Sequence, residues 1–529
     1  MDEGSSRAQS VQEALSEASD SLLRVEVRAG RGRCLVAERP VRKGRVVLRE
    51  MPYASVLNAN KVGTHCDYTF KPGGGKLLRC SRTKVVKYLD REAQAGAWKA
   101  YFRDECRVAS KMMEEKGEEF YSRLCMRSTL RLVCRMYWTR KARSPLQWTL
   151  VSQLHSNWET SSDAVKMTWA ESAAHAHQIL KLTEDSAPSV KELCAMFAAV
   201  SCNNLMVQDD YNEPVGFGIY PLASITNHSC TPNCVQAFSG KKLSLMCVRD
   251  IRAGEEITIS YADLFSLHSE RRATLLSGYG FDIDARTGGE AVGAVVSASP
   301  LVEAFRAEGD PPGSGGVPKS LVSDGEATFT EIRVAGGRHV GRGFTQIDEE
   351  VGGSEGGQKA VCSFASKDHA RAAGLVLHQI QEGLTRSEQL LNQSKFREAR
   401  EAVTKAVKQC EGSVVDGCDV QLSEHHILRL RGLHLLSHTA LFLSDFETAL
   451  NVGRELAEPF SRLYPNPWPN LGFHLSMLAN LEADPSLGGT KEQAIARARE
   501  AAAILEATTP RSNVTRLQME ALVREAAGR

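Results

Sequence analysis

Two short motifs contain residue types that could hold a polar ligand and orient a reacting group. NHSCTPN begins at Asn227, and GEEITISY, after one predicted hairpin, ends at Tyr261. An amide and an imidazole supply hydrogen bonds, and a phenol can position a group or stabilise charge. Taken alone, an Asn-His turn is more often structural, and a strand tyrosine more often packs its ring. Both motifs in order form a much more specific signal.

Short β segments surround both motifs. From Val215 to Tyr261, the segments GFGIYP, CVQAF, KLSLMCV and EITISY are separated by Gly, Pro and Asn, which is typical of short strands and turns. From Leu22 to Leu57, apolar and polar residues alternate around glycine turns, which predicts two or three more strands. Both strand regions must come together to position the motifs.

Helical spacing separates these two strand regions. Leu130, Val133, Cys134 and Tyr137 fall at i, i+3, i+4 and i+7, and ELCAMFAAVSCNNLM continues the helical character. After residue 366, SEQLLNQSKFREAREAVTKAV and DFETALNVGRELAEPFSRLYP have the spacing of stacked helix-turn-helix repeats. We therefore predict an α+β fold with an all-α C-terminal domain.

The two motifs together resemble the SET domain signature of the SET/MYND protein lysine methyltransferases. In that family the first motif passes under the loop that carries the second. VSCNN, GFGIYP and NHSC also follow one another as in this family, and RGRCLVAERP resembles its opening R-G-x-G strand pair, with Cys34 in place of the second glycine. The resemblance covers most of the chain outside the N-terminal tail and a Gly-rich insert.

The resemblance implies transfer of a methyl group from S-adenosylmethionine to a lysine amine of a protein. Tyr261 would be catalytic, orienting the amine and the polarised methyl group. The residues that would bind S-adenosylmethionine are Arg31, Gly32, Asn203, Asn227, His228 and Phe281. In-line transfer needs alignment and a water-poor channel, but no metal.

RCSRTKVVKYLDREAQAGAW resembles the MYND zinc module that splits the SET domain in this family. Three of its cysteines persist, Cys66, Cys80 and Cys106. The other ligand positions hold Thr69, Thr83, Leu89, Ala93 and Tyr101, and the cysteine positions after the SET core hold Gly280, Ile283 and Ala285. Structural zinc needs about four N or S ligands, so we expect no bound zinc and packing in its place.

These patterns predict a SET β-fold split by two inserts and followed by a TPR-like helical domain. The expected segments are a disordered tail (1–21), the first SET part (22–60), a degenerate MYND-like module (61–106), a helical insert (107–195), the second SET part with an eroded post-SET region (196–285), a flexible Gly-rich insert (286–365) and the helical C-terminal domain (366–529). Within the Gly-rich insert, FTEIRV is a candidate strand.

Composition excludes several other classes. With 65 Lys+Arg against 64 Asp+Glu, the chain has no basic footprint for nucleic acid. No apolar run approaches the roughly 18 to 20 residues that cross a bilayer, and the polar start MDEGSSRAQS does not resemble a signal peptide. Fourteen cysteines without a C-x-x-C pair form no disulfide framework. We expect a cytoplasmic or nuclear protein.

Two other functions are compatible with the sequence. A catalytically silent SET-fold scaffold would hold protein partners on its helical repeats, and the missing zinc ligands and Cys34 favour it. Intact Asn203, Asn227, His228 and Tyr261 oppose it. A plain repeat protein with an unrelated N-terminal half would have no cofactor pocket. The substrate protein, the number of methyl groups and the oligomeric state are not determined by the sequence.

Overall fold

The structure is a computed structural model with an α+β fold. It describes residues 3–117, 119–184, 186–266, 268–283, 331–336, 339–344, 367–422, 424 and 426–526. The predicted flexible insert, residues 286–365, lies largely outside the described residues, as does Ala285. The two parts of this insert that are described, 331–336 and 339–344, form a hairpin.

Residues 3–18 form a helix, where the sequence predicted part of a disordered tail over residues 1–21. Helix α1 (Glu3–Ala18) packs on the first strands through Val11 and Leu15, which are buried in the same hydrophobic cluster as Leu23. The amide of Gln12 donates to the carbonyl of Leu23 at 3.1 Å. Two apolar side chains one helical turn apart were enough to anchor a mostly polar helix.

Small sheets form the β part of the N-terminal region. The first six strands are β1 (Leu23–Arg28), β2 (Gly32–Ala37), β3 (Val46–Glu50), β4 (Ala54–Leu57), β5 (Leu78–Arg79) and β6 (Lys87–Tyr88). The next six are β7 (Asn204–Gln208), β8 (Pro214–Ile219), β9 (Asn227–His228), β10 (Cys234–Ser239), β11 (Lys242–Cys247) and β12 (Thr258–Ile259). All of these sheets are antiparallel except the pair β9-β12. The two predicted strand regions pair directly, because β3 joins β11 and β4 joins β8.

Helices fill the sequence between these two sets of strands. They are α2 (Arg91–Ala97), α3 (Arg103–Lys116), α4 (Glu119–Met126), α5 (Ser128–Arg140), α6 (Pro145–Ser152), α7 (Asp163–Leu180) and α8 (Val190–Asn203). A capping box at Ser189 and Glu192 starts α8, which runs directly into β7. A further helix, α9 (His268–Tyr279), follows the second motif.

Residues 61–106, named here the inserted module, are fastened to α5 by four buried charges. Asp67 and Glu105 come from the module, and Arg131 and Arg135 come from one face of α5. We call these four residues the ionic quartet. Each guanidinium bridges both carboxylates at 2.5 to 3.0 Å, and all four side chains are at most 1% exposed.

The C-terminal region is helical but not all-α. Its helices are α10 (Lys367–Asn392), α11 (Phe396–Glu411), α12 (Ile427–Phe442), α13 (Phe446–Leu463), α14 (Pro469–Glu482), α15 (Lys491–Thr508) and α16 (Val514–Ala526), each packed on the next. Four strands also form a sheet in the order β14-β13-β16-β15: β13 (Glu331–Gly336), β14 (His339–Phe344), β15 (Ser413–Val415) and β16 (Cys418–Leu422). The candidate strand in FTEIRV is therefore present.

The prediction of an all-α C-terminal domain was wrong. The sequence pattern of β15 and β16 was missed because both strands are very short. Buried Cys418, Val420 and Leu422 alternate with exposed residues, and this period-2 pattern spans only five positions. The partner of β16 is β13, whose paired residues lie more than 80 positions earlier in the sequence. A weak local pattern and a distant partner left the sheet without a clear signal.

The C-terminal helices share one hydrophobic core with the second SET part. Leu264 and Phe265, just after Tyr261, pack into the cluster that contains Phe460 and Tyr464. At another contact, the carbonyl of Asp210 accepts hydrogen bonds from Asn513 at 3.1 Å and Thr515 at 2.7 Å. Within the part of the chain that the structure describes, no helix has the length and apolarity needed to span a membrane.

Candidate functional site

The two sequence motifs meet at a short parallel strand pair. Asn227 and His228 of β9 lie opposite Thr258 and Ile259 of β12, although 31 positions separate the partners in each pair. The backbone N–H of Ser229 donates to the carbonyl of Ile259 at 2.9 Å, which extends the pairing by one residue. We refer to residues 227–233 and 256–261 together as the crossing.

Asn233 fastens the crossing with its side-chain amide. Its Nδ2 donates to the carbonyl of Glu256 at 2.7 Å, and its Oδ1 accepts the backbone N–H of Thr258 at 2.8 Å. Asn233 is 1% exposed, so both bonds are shielded from water. The sequence contained this residue in the first motif, but only the structure assigns it a role.

His228 and Tyr261 are held together at the centre of the crossing. The backbone N–H of Tyr261 donates to Nδ1 of His228 at 3.0 Å, and the two ring centroids are 5.5 Å apart. The hydroxyl of Tyr261 donates to the carbonyl of Thr226 at 2.5 Å. Burial raises the pKa of Tyr261 above its usual value, so the phenol stays protonated and can position or polarise but not abstract a proton.

Two more aromatic rings complete this wall of the site. Tyr279 lies 4.6 Å from Tyr261, and Phe281 lies 6.4 Å from Tyr261 and 6.0 Å from His228, all between ring centroids. The structure thus brings the predicted residue Phe281 to the predicted Tyr261. Sequence reasoning missed Tyr279, although its position two residues before Phe281 in GYGFD was a usable signal.

Burial determines the charge of His228. The side chain is 3% exposed, and desolvation, with a smaller contribution from Arg271 and Arg31, lowers its pKa to about 3. At neutral pH the imidazole is therefore uncharged. A neutral ring that accepts one backbone hydrogen bond orients Tyr261 without adding positive charge to the site.

Arg31 ends the β1-β2 turn and Gly32 begins β2, at the edge of the crossing. Gly32 has a φ of +68°, a conformation that favours glycine, and a Cβ built there would meet no atom within 4 Å. The guanidinium of Arg31 contacts the carboxylate of Glu256 at 2.8 and 3.1 Å. The guanidinium of Arg31 is therefore already paired with Glu256. The backbone at Gly32, in contrast, has open space beside it.

Asn227 connects this turn to the crossing. Its Nδ2 lies 3.2 Å from the carbonyl of Arg31, 3.1 Å from that of Arg33 and 2.9 Å from Oε1 of Glu256. The thiol of Cys34 is 3.3 Å from the same amide nitrogen. Burial, and secondarily the Glu256 carboxylate, raises the pKa of Cys34 to about 11. The extra side chain at position 34 therefore contributes a neutral thiol that packs against Asn227.

Asn203 approaches from the end of α8. Its Nδ2 donates to the carbonyls of His155 and Ala199, both at 2.7 Å, and its own carbonyl accepts the hydroxyl of Ser224 at 3.2 Å. The segment after α6 is a part of the site that the sequence did not indicate. Asn157 in that segment donates to the carbonyl of Gly278 at 3.0 Å, which joins it to the end of α9.

The persisting cysteines of the inserted module lie inside its core. Cys66, Cys80 and Cys106 are each at most 5% exposed. A hydrogen bond from Cys106 lowers the pKa of Cys80 to about 5, and the same bond raises that of Cys106. Over the residues that the structure describes, no group of three or more His, Cys, Asp or Glu side chains could hold a metal ion.

The crossing joins the Asn-His pair to the distant Tyr261, the arrangement that the resemblance to the SET signature predicts. The SET domain family model matches residues 32–262, which include every element of the crossing. Among curated proteins, the chain is 31% identical over 278 residues to the histone-lysine N-methyltransferase SMYD3 of Mus musculus and 31% identical over 265 residues to that of Homo sapiens. It is also 31% identical over 261 residues to the histone-lysine N-methyltransferase ASHR1 of Arabidopsis thaliana. Residues 32–262 thus match the SET domain, and the chain is similar to these lysine methyltransferases over about half of its length.

These similarities cover part of each protein. The matched regions span 48% of this chain and 59% of each SMYD3 protein, and 47% of this chain and 52% of ASHR1. A solved structure, the SET domain of LSMT bound to lysine and AdoHcy, has a TM-score of 0.33 and 12% identity over 84% of this chain, which is too low to support a structural comparison.

Proposed function

We propose that the protein is an S-adenosylmethionine-dependent protein-lysine N-methyltransferase with Tyr261 as its catalytic residue. The observation that carries the proposal is the way Tyr261 is held. Its backbone is bonded to His228 and its hydroxyl to the carbonyl of Thr226, so that its ring lies against Tyr279. Such fixed geometry suits a reaction that depends on alignment.

The residues of the site fit S-adenosylmethionine. The turn at Gly32 leaves its backbone open to a ligand, and Asn227, Asn203 and His228 are polar without net charge. The aromatic rings of Tyr261 and Phe281 suit a sulfonium cation and an adenine, because ring faces attract cations and stack on bases. When bound, this cofactor would supply an electrophilic methyl group.

Tyr261 would act on the incoming lysine by position and polarity. Its phenol and the carbonyl of Thr226 place two oxygen atoms side by side at the reacting centre. These oxygens can orient an amine and stabilise partial positive charge. The rings of Tyr261 and Tyr279 exclude water, and burial among them favours the neutral amine that transfer requires.

The flanking regions would serve the same enzyme. Residues 61–106 would be a MYND-like module that needs no zinc, and α10 to α16 would be a TPR-like domain that binds protein partners. Each of these helices packs on the next one in sequence, which supports a repeat architecture. Substrate would be a protein that bears lysine, histone or non-histone, and the protein would act in the cytoplasm, the nucleus or both.

The test is methyl transfer from labelled S-adenosylmethionine to a mixed protein extract. Tyr261→Phe should lower the rate at least about 100-fold, because it removes the polar group at the reacting centre. Tyr53→Phe is a matched control, since the hydroxyl of Tyr53 also donates to a backbone carbonyl, that of Met136 at 3.3 Å, away from the site. An active Tyr261→Phe protein would disprove the catalytic assignment.

A silent scaffold is the second candidate, and one observation favours it. The polar groups of Arg31 and Asn227 are already satisfied by Glu256 and by the backbone of the turn. Calorimetric titration with S-adenosylmethionine separates the two functions. Binding that is weakened by Asn227→Ala supports the enzyme, and failure of the wild-type protein to bind supports the scaffold.

A further inference from the structure

Cys230 lies directly behind the imidazole of His228. Its Sγ is 3.4 Å from Nε2 of His228, within hydrogen-bonding range for sulfur. Cys230 is fully buried and His228 is 3% exposed, so water does not compete for this contact. The imidazole therefore has one identified neighbour on each side, Cys230 at Nε2 and Tyr261 at Nδ1.

The contact with Tyr261 fixes which nitrogen of His228 carries the proton. A backbone N–H can only donate, so Nδ1 must accept the 3.0 Å bond from Tyr261 and must be unprotonated. Because burial lowers the pKa of His228 to about 3, the ring is neutral and its single proton is on Nε2. The Nε2–H group therefore donates a hydrogen bond to the sulfur of Cys230.

The surroundings of Cys230 strengthen this weak bond. The thiol is packed with Leu275 and Ile283, and the rings of Tyr279 and Phe281 border the same cluster. Ile283 stands where the SET/MYND pattern has a cysteine, so an apolar side chain now packs against the thiol. In such a low-dielectric cluster a hydrogen bond is electrostatically stronger than in water.

We infer that Cys230 is a positioning residue, whose sulfur accepts the Nε2–H of His228 and thereby holds the imidazole in the tautomer that orients Tyr261. The inference rests on the proposed function, because it is the catalytic placement of Tyr261 that this bond would serve. Cys230 acts through His228 and does not itself contact the reacting groups.

The experiment compares Cys230→Ala, which removes the acceptor, with Cys230→Ser, which keeps one. Cys134→Ala is the control for truncating a buried thiol, since Cys134 is 1% exposed in the core of α5, away from the crossing. Nitrogen NMR of the imidazole of His228 reports the tautomer, and exchange of its Nε2 proton reports the bond. Methyl transfer to a protein extract gives kcat and the KM for S-adenosylmethionine.

We expect Cys230→Ala to accelerate exchange of the Nε2 proton and to lower kcat about threefold to tenfold, as for loss of one hydrogen bond. The KM should change little, and Cys230→Ser should restore both readouts. Equal behaviour of Cys230→Ala and Cys134→Ala, or an unchanged Nε2 proton in Cys230→Ala, would overturn the inference. If the wild-type protein transfers no methyl group, the proposed function fails, while the NMR comparison still decides the role of Cys230.

Discussion

The crossing and the inserted module each join segments that are far apart in the sequence, but they do so through different kinds of side-chain contact. The crossing is joined mainly by the amides of Asn227 and Asn233 and an uncharged His228, with one ion pair, Glu256 to Arg31, at its edge. The module is joined by the fully charged ionic quartet, in which two carboxylates and two guanidiniums cancel.

The two kinds of contact differ in what keeps them stable. A buried charge is costly unless it is paired, so the quartet holds only while all four members remain. Hydroxyls complete it, since Tyr121 donates to Glu105 at 2.7 Å and Tyr101 donates to Asp67 at 3.2 Å. The crossing, in contrast, has an uncharged imidazole at its centre. Its stability depends on geometry, with each hydrogen bond contributing modestly.

The largest expected effect comes from breaking the quartet. Arg135→Ala should lower the free energy of unfolding by about 3–5 kcal/mol, because it leaves buried carboxylate charge without its partner. It also removes the bond from Arg135 to the carbonyl of Ser55 on β4, at 2.9 Å. Urea unfolding measures the loss. The exposed pair Arg123 and Glu119 is the control, and Arg123→Ala should cost at most about 0.5 kcal/mol. Equal effects would show that the quartet does not hold the module.

The next effect tests packing beside the crossing. Ile283 is 1% exposed and lies against Cys230 and Leu275. Ile283→Ala should lower the free energy of unfolding by about 2–4 kcal/mol through the cavity that it leaves. Ile283→Val should cost about 1 kcal/mol. A change in Ile283→Ala no larger than that in Ile283→Val would contradict the view that apolar packing holds this end of the site.

Asn233→Ala should destabilise the crossing. It removes the partners of the Glu256 carbonyl and the Thr258 N–H, and leaving such buried groups unsatisfied costs about 1–3 kcal/mol. Hydrogen exchange of the Thr258 amide should accelerate, while amides of α5 at the quartet should keep their protection. Acceleration in both places would mean that the two regions do not open independently.

The crossing and the inserted module should lose stability in different pH ranges. His228 has a folded pKa of about 3 against an unfolded value of about 6.5, so below pH 6.5 the unfolded chain binds a proton that the folded chain does not. The contribution of His228 to the free energy of unfolding should therefore fall by about 1.4 kcal/mol per pH unit as the pH falls from 6.5 toward 3. Burial alone would raise the pKa of Asp67, but Arg131 and Arg135 lower it to about 2. Its contribution is present above about pH 4 and is lost as the pH falls toward 2.

Urea unfolding at pH 7.5 and 5.0 checks the upper window. His228→Gln should lose about 2 kcal/mol less than the wild-type protein between these two pH values. His378, with 69% of its side chain exposed, is the control, and His378→Gln should follow the wild-type protein. If all three proteins lost the same free energy of unfolding between pH 7.5 and 5.0, His228 would not be the titrating group.

Local sequence was sufficient to find the core of the site but not its supports. Asn227, His228, Tyr261 and Phe281 stood in dense motifs, and the structure brings all four to the crossing. Asn233 was also in a motif, but its role depends on partners more than 20 residues away. The His155 to Asn157 segment had no motif of its own, because it contributes chiefly backbone carbonyls and an amide, which any loop can present.

Local patterns were enough to predict the two β-rich regions, the helices between them and the residue types of the crossing, because strand alternation, helical period and turn residues act over short distances. Only the tertiary structure decided that α1 is ordered, that β13 joins β15 and β16 in one sheet, and that Asp67 meets Arg135. These outcomes depend on contacts between residues far apart in the chain. Their free energy comes from burial of one surface against another, which local sequence does not encode.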